Sequence, residues 1–166
     1  MFKTRINTLR SKLKESNIDV ALITDDDNVY YYTGYYDYLH MEFGRPTILI
    51  VPKEDKTILI TPSVDAGLAE DEGTVDHIEP WNDGVGNEWR EIIPGILKNI
   101  NSLAIELNHI STIVRNYLNT LISQDKITDV TPITSGMRMI KSEEELKLAR
   151  HTGAVSYTHL TLPTKA

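Results

Sequence analysis

Cysteine is absent from this chain of 166 residues. That excludes disulfides, thiolate metal ligands and a thiol nucleophile, and it suits a cytoplasmic setting. Long apolar runs are missing too. Nothing approaches the ~18 consecutive apolar residues of a membrane span. Behind Met1-Phe2-Lys3-Thr4-Arg5 there is no apolar stretch that would make a leader. Basic residues are in the minority, 17 Lys and Arg against 24 Asp and Glu, for a net charge of −7. A surface of that sign displaces few counterions from phosphates, so nucleic acid is not expected as a partner, and the lack of a spanning run argues against a membrane. Catalytic spacings are equally scarce. The histidines at 40, 77, 109, 151 and 159 share no ligand spacing. Gly84-Val85-Gly86 reads as a loop, because a dinucleotide fingerprint fails at its third glycine. There is no G-x-S-x-G elbow. Asp25-Asp26-Asp27 lacks the alternation and the distant Glu of a calcium loop, and reads as a helix cap and solvated turn. No catalytic residue and no metal site is expected from these residues themselves.

What is present is an ordinary globular composition, 40% hydrophobic and 25% charged, enough for one good core. Phe2, Ile6, Leu9 and Leu13 step at helical spacing, and Ser16-Asn17 ends that helix. Val20–Ile23 reads as a buried strand. Asp25 to Asn28 offers capping carboxylates for a short helix closed by Gly34. Thr47–Val51 and Thr57–Thr61 predict an antiparallel hairpin. A short helix over Val64–Glu70, a strand over Val75–Ile78 and a helix over Glu88–Ile100 follow, the last with Pro94 expected to kink it or end it early. Leu103–Leu107 is a strand. Ile113, Tyr117 and Leu121 mark the buried face of a further helix, and Ile127–Val130 closes the set. Helix and strand alternate around one hairpin, which predicts an α/β domain with a mixed sheet flanked by helices. Val20, Leu22, Ile48, Ile50, Leu59 and Ile105 are its expected core.

Two patches carry functional possibilities. Tyr30, Tyr31, Tyr32, Tyr35, Tyr36 and Tyr38 crowd within nine positions. Two or three of them packing in the core with the rest half-buried on the surface is one reading, and an interface, where such residues are enriched, is the other. The second is His40-Met41-Glu42-Phe43-Gly44-Arg45-Pro46. A guanidinium there can clamp a carboxylate with two parallel hydrogen bonds while a phenyl ring walls in an apolar group. The alternative is that Arg45 answers Glu42 or Asp37 and Phe43 fills the core.

Near the end, Ser142 can cap a helix while Glu145 reaches back to its N–H, with three acids in the first turn. Asn28-Val29-Tyr30-Tyr31-Tyr32-Thr33-Gly34-Tyr35 resembles the N-x-x-Y-x-[ST]-G segment of the creatinase/prolidase/aminopeptidase P family. Met137-Arg138-x-Ile140-Lys141-Ser142-x-Glu144-Glu145-Leu146 resembles that family's M-R-x-I-K-S-x-x-E-[IL] junction. The resemblance covers about the first 150 residues. It implies a mixed-sheet N-terminal domain that helps build a homodimer, with the catalytic groups of a pita-bread domain lying downstream of this chain.

In creatinases an F-G-R segment of this loop reaches the partner subunit's active site and holds the substrate's carboxylate end. Phe43 and Arg45 match those two positions. The implied parent is a hydrolase acting on an Xaa-Pro peptide or a creatine-like small molecule, with either a dinuclear metal centre (Mn, Co or Zn) or no metal. No cofactor is expected in the chain itself. The expected organisation is an N-terminal domain over residues 1–135, a junction and first helix of a missing catalytic domain over 136–155, and a non-native tail over 156–166. The alternative is a stand-alone binding or interaction module without a catalytic half.

Overall fold

The computed structural model describes residues 1–36, 45–82 and 88–160, with side chains through Val155. The first helix, α1 (Phe2–Glu15), buries Ile6, Leu9 and Leu13, the stripe its spacing predicts. It ends where expected: the Ser16 N–H bonds back to Lys12 O, and Asn17 turns into the left-handed region at φ 54°. The fully buried strand β1 (Val20–Ile23) follows. Helix α2 (Asp26–Thr33) is capped by the Asp25 side chain, which accepts the Asn28 N–H. It stops at Gly34, whose φ of 82° suits a residue without Cβ. Strands β2 (Ile48–Pro52) and β3 (Ile58–Pro62) form the predicted hairpin, paired Ile48 to Ile60. Then come α3 (Ala66–Glu72), β4 (His77–Trp81), α4 (Trp89–Leu97), β5 (Leu103–Ile105), α5 (Thr112–Leu121), a 3-10 turn at Gln124–Lys126 and β6 (Ile127–Asp129).

The six strands of the described residues form one sheet in the order β4-β3-β2-β1-β5-β6. Only β2 runs against the other five, so the sheet is mixed as expected. Helices cover both faces. On one, α4 and α5 close over a core containing Val20, Leu22, Ile48, Ile50, Trp81, Trp89 and Ile105. Side-chain alternation turns Ala21, Ile23, Leu49, Val51 and Leu59 to the other face, where α1 packs on α2 and β2. All six expected core residues are buried, with Leu59 on the opposite face from the rest.

The observed elements depart from the expected ones at several points. Strand β4 starts two residues later than expected and runs on to Trp81. Helix α4 holds Pro94 inside it and ends at Leu97, short of the expected Ile100. The carbonyl that the proline ring leaves without a helical donor, Arg90 O, accepts the Tyr117 hydroxyl at 2.5 Å instead. On α5 the core face is Val114 and Leu118, with Tyr117 half-buried; Ile113 and Leu121 are exposed. The true stripe combines spacings of three and four, which a strict i,i+4 reading displaces by one residue. Helix α6 (Thr131–Met139) was not anticipated.

The chain separates into two compact units, one ending at Thr134 and one beginning at Ser135. In the second, α7 (Glu143–Leu160) opens with the predicted capping box. Glu145 Oε2 accepts the Ser142 N–H at 2.9 Å, and Ser142 Oγ accepts the Glu145 N–H at 3.2 Å. The backbone stays helical through Leu160, into the segment expected as a non-native tail. Leu146 is half-buried and Ala149 exposed.

Candidate functional site

Because β2 alone is reversed, one edge of the sheet gathers the carboxyl ends of five strands and the entrance to β2. Outside the carboxyl ends of strands is where open α/β sheets commonly bind ligands. Arg45 lies there, half-buried and two residues ahead of the buried Thr47. Pro46 follows it, and the buried Trp81 indole donates its Nε1–H to Pro46 O at 3.2 Å. Thr47 and Thr61 join hydroxyls at 3.1 Å across β2 and β3. Phe43, with His40, Met41, Glu42, Gly44, Asp37 and Tyr38, lies outside the described residues, as does the loop expected at Gly84–Gly86. The structure therefore places Arg45 of the two proposed site residues.

The other half of this edge was missed in the sequence. Glu106 falls within the strand expected over Leu103–Leu107, just past the observed end of β5 at Ile105, and its side chain is fully buried. Oε2 accepts the N–H groups of Thr24 and Asp25 at 2.7 and 2.8 Å, and Oε1 accepts the Asn28 side-chain amide at 2.5 Å. Burial pushes the Glu106 carboxyl above its ordinary range. The three N–H contacts pull it down, and the Asp25 carboxylate adds to the upward push. Beyond it, His109 Nδ1 approaches Asp25 Oδ2 at 3.2 Å, and Asp129 Oδ1 accepts the Thr131 N–H at 2.9 Å. The available signal was a single acid closing an apolar run. Among the described residues no three of His, Asp and Glu assemble a metal cage.

The tyrosine patch divides. Tyr32 and Tyr35 are buried, whereas Tyr30 is 50% exposed with Tyr36 set edge-on to it at 6.1 Å. Tyr31 lies under the Arg5 guanidinium, 4.0 Å from the ring centre, and its carbonyl accepts from Arg5 Nη1. At the opposite edge a groove of about 690 Å³ lies between the start of β1, the β2–β3 turn and the second half of α4. Its floor includes Ile58, Ile96 and Ile100. On its rim Lys53 Nζ meets Asp19 Oδ1 at 2.7 Å, and Asp19 also accepts the Asn101 N–H. The Lys53 bond, foremost, holds the Asp19 carboxyl below its usual range.

Creatinase from Bacillus sp. (strain B-0618) is 26% identical over 163 residues, spanning 92% of this chain and 37% of its own length. The putative dipeptidase YkvY of Bacillus subtilis (strain 168) is also 26% identical, over 92% of this chain and 42% of its own. The chain thus spans about two fifths of the length of these curated relatives. Among solved structures, the creatinase/prolidase N-terminal domain of an X-Pro dipeptidase from Streptococcus pyogenes superposes with a TM-score of 0.69 at 20% identity. That match covers 80% of this chain and 98% of the other. Recombinant prolidase from Thermococcus sibiricus gives a TM-score of 0.77 at 22% identity, over 100% of this chain and 46% of its own. These likenesses establish the shared fold, and residues 5–140 match the family described as the creatinase/prolidase N-terminal domain. With most of its length inside that match, this chain belongs to the creatinase/prolidase N-terminal domain family.

Proposed function

We propose that the domain is the non-catalytic N-terminal part of a creatinase-like or Xaa-Pro-peptidase-like hydrolase. In it the domain helps hold a cytoplasmic homodimer and supplies one wall of a substrate pocket. Arg45, with Phe43 beside it in sequence, would hold the carboxylate end of a dipeptide or creatine-like substrate in the partner subunit. The place of Arg45 in the chain supports this reading: it lies just ahead of β2 at the carboxyl edge of the sheet, next to Pro46, whose carbonyl is fixed by the core. The exposed Tyr30 and its neighbour Tyr36 offer amphipathic surface of the kind subunit interfaces use. The chemistry itself belongs to the rest of the enzyme, through a dinuclear Mn, Co or Zn centre or without metal.

The test is Arg45→Ala in a full-length enzyme carrying this domain. Loss of a charge-assisted bidentate contact is worth roughly 1.5–3 kcal/mol, or about ten- to a hundredfold in kcat/KM. It should appear mainly as a raised KM for carboxylate-bearing substrates. Lysine should rescue poorly, since an ammonium cannot reproduce the planar fork. Mixing Arg45→Ala subunits with subunits lacking the downstream general base should restore activity in hybrid dimers if the arginine acts across the interface. Unchanged kinetics with lowered stability would assign Arg45 to a local ion pair. A reading frame that runs into a catalytic half supports this assignment over a stand-alone binding module.

A further inference from the structure

The geometry points to Trp81 as a positioning residue for Arg45, acting through the Pro46 carbonyl. The β2–β3 ladder begins at Ile48 opposite Ile60, so Pro46 lies beyond the reach of its backbone donors. Proline brings no N–H of its own, fixes φ, and confines the residue before it to extended backbone. Arg45 therefore has a restricted direction, and the orientation of the Pro46 peptide carries that direction into β2. The Trp81 indole sets that orientation, with a donor that has no rotor.

The indole is itself fixed twice. Its ring, 2% exposed, belongs to the core cluster with Ile60 and Ile93. Its backbone pairs with Pro62, and its carbonyl accepts the Ser63 N–H at 2.9 Å. The Thr47–Thr61 hydroxyl pair then closes the next position. A buried carbonyl that loses this directed donor has reason to turn toward water, and Arg45 would turn with it. The functional weight of Trp81 rests on Arg45 being substrate-facing. Its physical effect on Arg45 does not.

The experiment is ¹⁵N relaxation on the full 166-residue chain, following the backbone amides of Arg45 and Thr47 and the Arg45 Nε–H. Two replacements are compared with wild type: Trp81→Phe, and a benzothiophene analogue placed at 81 alone, which keeps the ring volume and loses the N–H. Trp89→Phe, an equally buried indole of the same core, is the control. Both changes at 81 should lower the order parameters at Arg45 and Thr47 from the rigid range, about 0.85, toward the flexible range below about 0.6. Amides of β1 and β5 should not change. Trp89→Phe should lower the urea midpoint without loosening Arg45. If Trp81→Phe does not fold, the isosteric analogue decides. Arg45 remaining as ordered with the analogue as in wild type overturns the assignment, as does equal loosening by Trp89→Phe. Failure of the substrate role would show instead as unchanged kinetics for Arg45→Ala, with these order parameters still responding.

Discussion

Replacing Glu106 with alanine removes the acceptor for three N–H groups at once, those of Thr24, Asp25 and the Asn28 side chain. Thr24 and Asn28 are buried, whereas Asp25 is half-buried and its N–H can recruit water. Each buried donor left unsatisfied costs roughly 1–3 kcal/mol. Removing the carboxylate also relieves its own burial cost, which its raised pKa reports. The expected net loss is about 2–4 kcal/mol. For a unit of this size that lowers Tm by about 10 °C. Urea unfolding followed by tryptophan fluorescence is the suitable assay, because Trp81 and Trp89 both lie in the unit that ends at Thr134. Glu106→Gln isolates the charge. With the folded pKa above the unfolded one, Glu106 is less favourable ionised in the fold than in the unfolded chain. Wild type should therefore lose stability relative to Glu106→Gln as pH rises through the folded pKa. Glu106→Ala within about 0.5 kcal/mol of wild type would refute the anchoring argument. A reversed pH slope would show that the three N–H contacts outweigh burial.

Three further outcomes are expected. Tyr117→Phe should cost about 1 kcal/mol in urea unfolding, and the cost should vanish in a Pro94→Ala background, where residue 94 regains an N–H for Arg90 O. Gly34→Ala should destabilise by about 1–2 kcal/mol, because φ is +82° and the new Cβ would lie 2.8 Å from the Phe2 ring; Gly67→Ala in α3, where a Cβ meets nothing within 4 Å, should stabilise by up to about 1 kcal/mol in the same assay. Asp19 contributes stability above its unfolded pKa, near 3.8, that is lost as pH falls through its lowered folded value, so Asp19→Asn should flatten the acid limb of a Tm–pH profile.

The sequence alone determined whatever is decided within a few residues. Asp25 caps α2 through an N–H three positions on, Gly34 stops it because only there is φ positive at no steric cost, and Ser142 and Glu145 satisfy each other across one turn. Most strand positions were equally legible, since runs such as Val20–Ile23 are buried on both faces and need no alternation to be read. The family segments around Asn28 and Met137 lie within such local signals. Tertiary structure decided what depends on distant partners. The strand order brings Glu106 to Thr24, 82 positions away, and turns an ordinary strand-end acid into a buried anchor. It brings Trp81 to Pro46 across 35 positions. It also chose Val114 and Leu118 over Ile113 and Leu121 as the buried face of α5, because apolar residues lie on both sides of that stripe and only the sheet beneath says which side is inside. Local signals satisfy backbone groups that every helix end leaves open, so they are written beside those ends. A long-range hydrogen bond needs only one compatible donor and acceptor, and its partner is named only when the sheet is assembled.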